Sequence, residues 1–224
     1  QAARAFNAMQ ARILRLIEDR TEALAALSHD LRTPLARLRI RASFLPEGED
    51  RARMEAGLEE LEAMVDCVLA FFREGRDAEA AVPTDLVALL QTLADEAADA
   101  GQDVAFDGPA RLVLPLRRVA ARRALRNLLG NALLHGAEPV RLSLRREAGM
   151  AVVEIADAGP GIPPADRARA LQPFVRLDGA RGGAGTGLGL ATAQRFADAA
   201  QGTLELDAAP GGGLLVRLRL PMAG

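Results

Sequence analysis

A helical hairpin followed by a mixed α/β domain is the fold that the sequence predicts, and three observations carry that expectation. Residues 1–76 contain few glycines and repeat their apolar residues at helical spacing. From residue 84 onward, helix-period stretches alternate with short strand-like runs, the mark of a layered α/β fold. Finally, 12 of the 21 glycines fall between Gly159 and Gly213, so loops with special backbone needs are concentrated in the last third of the chain.

Composition narrows the chemistry. The 224 residues are 50% hydrophobic and 26% charged, which suits a folded chain. With 28 basic against 30 acidic residues, the net charge of -2 supplies no overall positive field for nucleic acid, so no nucleic-acid partner is expected. Every basic residue is Arg. A Schiff-base lysine, a Walker A loop and a kinase strand lysine are therefore excluded. One Cys and two His cannot form a disulfide, a four-thiolate zinc site or a three-histidine site.

Taken in order, the elements begin with a helix carrying Phe6, Met9, Ile13 and Leu16 at 3-4-3 spacing. Because this pattern is already running at the first residue, residues 1–20 read as the end of an upstream helix in a longer protein. Leu24, Leu27, Leu31, Leu35, Leu38 and Ala42 form one stripe of a second helix. Pro46, Glu47 and Gly48 break it. Met54, Leu58, Leu61, Val65, Val68 and Phe72 then follow a 4-3-4-3-4 seam. Two helices with narrow seams enclose little core, so residues 21–76 are expected to pair with a second copy as a four-helix bundle.

A small-residue and charged stretch from Glu74 to Pro83 reads as a linker, assigned to 77–83, into a domain covering 84–224. Thr84 and Asp85 offer an N-cap for a helix to about residue 100, followed by strands at 103–106 and 111–114. A helix at 116–135 precedes two strands, 139–146 and 150–156, that are close enough to form a hairpin about Gly149. Six glycines in 179–189 read as a mobile loop that launches a helix at 188–200. Strands at 203–207 and 214–220 close the domain.

At about 100° per residue, His29 points away from the apolar stripe of its helix. Asp30 is adjacent, Thr33 shares its face one turn on, and Pro34 removes the amide that would bond the Asp30 carbonyl. An exposed imidazole whose ring can be oriented by a carboxylate suits nucleophilic catalysis. Farther on, Asn127, Asn131 and His135 recur every four residues along one side of their helix. An Asn side-chain oxygen can join a Mg²⁺ shell, although Asn at this spacing also suits a solvated face. Asp157, at a strand end before Gly159 and Gly161, can accept a hydrogen bond from an adenine amino group; an Asp/Gly/Pro turn is the plainer alternative. Gly185, Thr186, Gly187, Leu188 and Gly189 precede a helix, where amides can meet phosphate oxygens. A dinucleotide fingerprint would need a strand directly before them.

These strings resemble the boxes of bacterial sensor histidine kinases. Ser28-His29-Asp30-Leu31-Arg32-Thr33-Pro34-Leu35 is similar to the H box, and the run from Arg4 to Thr21 is similar to the junction ahead of it in EnvZ-type osmosensors. Asn127-Leu128-Leu129-Gly130-Asn131-Ala132 resembles the N box, Asp157-Ala158-Gly159-Pro160-Gly161-Ile162 the G1 box, Phe174-Val175-Arg176 the F box, and Gly185 to Ala191 the G2 box. The resemblance implies a dimerisation and phosphotransfer domain followed by a GHKL-type (Bergerat) α/β sandwich that binds ATP.

In such a protein His29 attacks the γ-phosphate, Asp30 acts as base and Thr33 serves phosphatase activity. Asn131 holds Mg²⁺ with support from Asn127, while His135, the G1 and G2 residues, Phe174, Arg176 and Arg181 surround the nucleotide. The implied partners are a second copy of the chain and the receiver domain of an OmpR-like response regulator. The implied location is the cytoplasmic side of a bacterial inner-membrane protein. One position departs from the pattern: Leu134 stands where Lys or Arg is common, so phosphate neutralisation falls to Arg176 and Arg181. Two alternatives stay open at this stage. One is a GHKL-type ATP hydrolase, for which Asn127 lacks the basic lone pair needed to activate water. The other is a weakly active dimeric signalling scaffold.

Overall fold

The computed structural model describes residues 33–46, 48–55, 57–58, 61, 79–177 and 186–222. The chain divides into two compact units, residues 1–76 and 77–224. In the first unit, helical segments at 33–43 (α1) and 49–55 (α2) flank the Pro46 break. Leu35, Ala42 and Leu58 form a small buried cluster, whereas Leu38, Met54 and Leu61 of the same seams are exposed in the single chain.

The second unit is built on a five-stranded sheet and a two-stranded one. Its elements run β1 (Val82–Asp85), α3 (Leu86–Asp99), β2 (Val104–Asp107), β3 (Val113–Leu116), α4 (Arg118–His135), β4 (Val140–Glu147), β5 (Met150–Ala156), α5 (Pro164–Ala170), α6 (Gly189–Ala199), β6 (Thr203–Ala208) and β7 (Leu214–Pro221). The large sheet has the order β2-β4-β5-β7-β6, and only the β2–β4 pair is parallel. Period-2 alternation assigns its faces: Val140, Leu142 and Leu144 of β4, and Ala151, Val153 and Ile155 of β5, are buried in the core against α3, α4 and α6. The hairpin between β4 and β5 closes on Ala148 and Gly149 at φ 49° and 79°, the pair of left-handed residues that a two-residue turn demands.

On the opposite face of the sheet, charged side chains of β4, β5, β6 and β7 satisfy one another. Arg145 bonds Glu154 through both terminal nitrogens and meets Glu147 at 3.3 Å; Arg217 meets Glu154 at 2.7 Å and Glu205 at 3.6 Å. Arg219 lies 3.9 Å from Glu205 and 3.6 Å from Glu147. Three arginines and three glutamates thus close a ring of alternating charge. Val152, fully buried on this face, pairs across the sheet with Arg145 on one side and Arg219 on the other. The stems of these arginines supply apolar cover while their heads stay wet.

Two helix starts explain departures from the sequence reading. Thr84 is not a cap: it lies in β1 opposite Leu114, and Asp85 alone caps α3, accepting from the Val87 amide at 3.1 Å. β1 also begins inside the stretch read as linker, because Pro83 is tolerated in a two-stranded edge pairing with Pro115. α4 starts at Arg118 with no side-chain cap from its own N-cap residue, Arg117. Glu79 supplies it from 40 residues away, accepting from the amides of Val119 (2.6 Å) and Ala120 (3.3 Å). A cap of this kind is worth about 1 kcal/mol. Among the described residues, no helix is long and apolar enough to cross a membrane.

Candidate functional site

The site is assembled at the C-terminal half of α4. Burial of Ala121, Ala124, Leu125, Leu128, Leu129 and Ala132 fixes the helix against the sheet, and this rotation leaves Asn127, Asn131 and His135 outside the core. Both asparagines are half-buried, one turn apart. Gly189, the first residue of α6, stands over Asn127: a β-carbon there would lie 3.8 Å from the Asn127 Cβ. The two motifs separated by some 60 residues of chain therefore share one wall.

Asp157 ends the path out of β5 and is buried. Its Oδ1 accepts from the amides of Gly159 (2.8 Å) and Leu214 (3.2 Å), and its own amide donates to the Leu214 carbonyl at 3.1 Å. Two amides on one oxygen hold the carboxylate in a single orientation. Among the described residues no hydrogen bond falls on Oδ2, which leaves that oxygen as an acceptor for a donor entering the site. Gly136, Gly159 and Gly213 crowd this carboxylate. A β-carbon on Gly136 would fall 2.5 Å from Asp157 Cγ, one on Gly159 would fall 2.5 Å from the Gly136 Cα, and one on Gly213 would strike the Asp157 carbonyl oxygen. Sequence reasoning identified Gly159 and Gly161 but missed Gly136 and Gly213. The available signals were the glycine ending α4 and the Gly211-Gly212-Gly213 run.

On the phosphate side, the Phe174 amide donates to the Gly187 carbonyl at 3.0 Å. Both residues take left-handed backbone, at φ 63° and 68°, and a β-carbon on Gly187 would sit 2.8 Å from the Val175 carbonyl oxygen. Thr186 Oγ1 accepts from the Leu188 amide at 3.3 Å, and Leu188 is fully buried beneath the start of α6. No described side chain caps the first turn of α6. Partial desolvation, and then the nearby positive charge of Arg176, hold the His135 imidazole below its ordinary pKa. His135 and Arg176, proposed from separate motifs, are thus neighbours. Leu134 is exposed beside them.

Four of the sequence-predicted residues, His29, Asp30, Arg181 and Gly185, lie outside the described residues. Thr33 is the first described residue of α1 and is exposed. Among the described residues no group of three or more His, Cys, Asp or Glu could hold a metal ion. Hard-cation binding at α4 would rest on amide oxygens together with phosphate and water.

Two family models match the chain: the His Kinase A (phospho-acceptor) domain over residues 19–76, and the histidine kinase-, DNA gyrase B- and HSP90-like ATPase over residues 117–224. The solved histidine kinase domain of the E. coli osmosensor EnvZ is 34% identical, with 65% of this chain and 91% of that one covered and a TM-score of 0.52. The chain belongs to the histidine kinase family. Among curated members, the sensor histidine kinase GtrS of Pseudomonas aeruginosa is 37% identical over 100% of this chain and 46% of its own length. Full-length ShkA, solved in complex with AMPPNP, is 29% identical, with a TM-score of 0.73 over 90% of this chain and 46% of that one. The chain spans about half the length of the curated kinases it matches, 46% and 51% of the first two. Family membership agrees with the fold expected from the sequence: a helical region followed by an ATP-binding mixed α/β domain.

Proposed function

We propose that the chain is the phosphotransfer and ATP-binding core of a two-component sensor kinase. The observation that carries this reading is the convergence on one wall of Asn127 and Asn131 from α4, the start of α6, and the oriented carboxylate of Asp157. Asp157 Oδ2 accepts the adenine amino proton, and Gly136, Gly159 and Gly213 let the backbone close around that carboxylate where a β-carbon would clash with protein atoms. Asn131, backed by Asn127, fits a Mg²⁺ that keeps its waters and shares the phosphates; bound there, the ion would neutralise charge on the transferring group. The α6 amides and Arg176 face the remaining phosphate oxygens.

In this reading His29 attacks the γ-phosphorus through a neutral ring nitrogen, the bond to the β-phosphate oxygen breaks, and ADP leaves. Asp30 orients the ring and accepts the proton from its other nitrogen. Phosphohistidine then passes its phosphoryl group to an aspartate of a receiver domain in an OmpR-like response regulator. Thr33, one turn from His29, positions water for the reverse, phosphatase function. The exposed seam residues Leu38, Met54 and Leu61 support a homodimer, since a second copy would bury them. In this reading the parent protein is a bacterial inner-membrane sensor with this chain on its cytoplasmic side, which its similarity to curated sensor histidine kinases supports.

The test is incubation with γ-labelled ATP and Mg²⁺. A label that survives base and is lost in acid identifies phosphohistidine, and His29→Ala must abolish it without loss of nucleotide affinity. Release of inorganic phosphate with no protein-bound label would instead mark an ATP hydrolase.

A further inference from the structure

Glu79 is the point at which the chain arriving from residues 1–76 is first tied to the nucleotide-binding unit by a described side-chain bond. Its two carboxylate oxygens accept from Val119 and Ala120, the second and third residues of α4. No acidic residue lies in the first turn of that helix, Arg117 provides no cap, and Arg117 and Arg118 add cationic charge at its positive end. One anion from outside therefore satisfies a helix start that its own sequence leaves unsatisfied. α4 is also the helix that carries Asn127, Asn131 and His135. Two residues, Ala80 and Ala81, separate Glu79 from the start of β1 at Val82.

We propose that Glu79 is a positioning residue: a clip that sets where the interdomain tether ends and so fixes the reach between His29 and the γ-phosphate. The proposal rests on the kinase reading above. With the clip closed, the tether ends at Glu79, on the nucleotide helix. With it open, residues 79–81 join the tether and add up to about 10 Å of extended chain. Transfer between two tethered groups depends on their effective concentration, which falls as a tether lengthens beyond its fitting span. Opening the clip therefore slows phosphotransfer to His29 while leaving the nucleotide pocket in place.

A two-residue Gly-Ser insertion distinguishes this role from simple helix capping. Placed between Ala80 and Ala81, it lies inside the closed clip and leaves the autophosphorylation rate within twofold of the unaltered chain. The same insertion in Glu79→Ala slows the rate beyond the threefold to tenfold loss caused by Glu79→Ala alone. Placed between Arg76 and Asp77, it slows both backgrounds. Affinity for an ATP analogue, measured on each chain, stays within twofold, and Glu79→Gln, which keeps one acceptor oxygen, restores part of the rate. Equal slowing by the 80/81 insertion in both backgrounds, or a rate loss that tracks a loss of nucleotide affinity, would overturn the clip. Absence of phosphohistidine in the unaltered chain would instead overturn the kinase reading, and the clip with it.

Discussion

A β-carbon on Gly213 would overlap the carbonyl oxygen of Asp157, and Gly213 itself sits at φ 90°. No rotamer change relieves either problem, since both are backbone. Gly213→Ala should therefore displace the Leu214 amide from the Asp157 carboxylate and weaken binding of adenine nucleotides by at least about tenfold, the equivalent of about 1.4 kcal/mol. Isothermal titration with an ATP analogue measures this, and unchanged affinity would mean that the carboxylate's orientation is dispensable.

Gly130 gives the opposite expectation although it lies between the two motif asparagines. It is exposed in the middle of α4, and a β-carbon there meets nothing within 4 Å. Gly130→Ala should stabilise the unit by about 1 kcal/mol through helix propensity, raising Tm by about 3 °C. Thermal unfolding checks it; a lower Tm would show that Gly130 is needed by contacts beyond the described residues.

The charged ring predicts an acid limit. Hydrogen bonding by Arg145, aided by Arg217 and opposed by desolvation, lowers the Glu154 pKa from 4.5 to about 2. A carboxylate depressed in the folded state contributes its full stabilisation above the unfolded value and loses it as pH falls from about 4.5 towards 2. Glu154→Gln should cost about 2 kcal/mol at pH 7, and its stability should decline less steeply than that of the unaltered chain through that window. Urea unfolding at pH 7, 4 and 3 gives the comparison, and parallel declines would remove Glu154 as the group responsible.

What the sequence made legible follows a physical rule: features set by near neighbours were readable, and features set by distant pairing were not. Asn127, Asn131 and His135 declare their shared side because helical periodicity is local, and the Ala148-Gly149 turn lies between strands that pair directly. Asp85 was correctly paired with a helix start, but Thr84 was misread because its strand partner, Leu114, is 30 residues away. The Gly213–Asp157 contact and the Glu79 cap span 56 and 40 residues, with no pattern of residue types to connect them. α5 went unread because its seven residues begin on the second proline of Gly161-Ile162-Pro163-Pro164, which looks like turn chemistry; Pro at the first helical position in fact suits the start.

Leu134 offers the sharpest test of how the site handles phosphate charge. It is three residues beyond Asn131, 52% exposed, and adjacent to His135, whose lowered pKa already registers the positive charge of Arg176. An exposed leucine contributes little to folding, so its replacement should shift stability by no more than about 0.5 kcal/mol. A guanidinium at this position would add a charge-assisted donor on the side of α4 that carries Asn131. If the transferring phosphoryl group is under-neutralised, Leu134→Arg should raise the autophosphorylation kcat by about tenfold, about 1.4 kcal/mol of added transition-state stabilisation. Leu134→Gln separates charge from polarity: it removes the apolar surface without supplying a cation, and its kcat should remain near that of the unaltered chain. A gain confined to KM would place the new charge on bound ATP in its ground state and not on the transfer step. Equal acceleration by Gln would assign the effect to the lost leucine, and no acceleration by Arg would leave Arg176 and Arg181 as sufficient neutralisation for the transferring group.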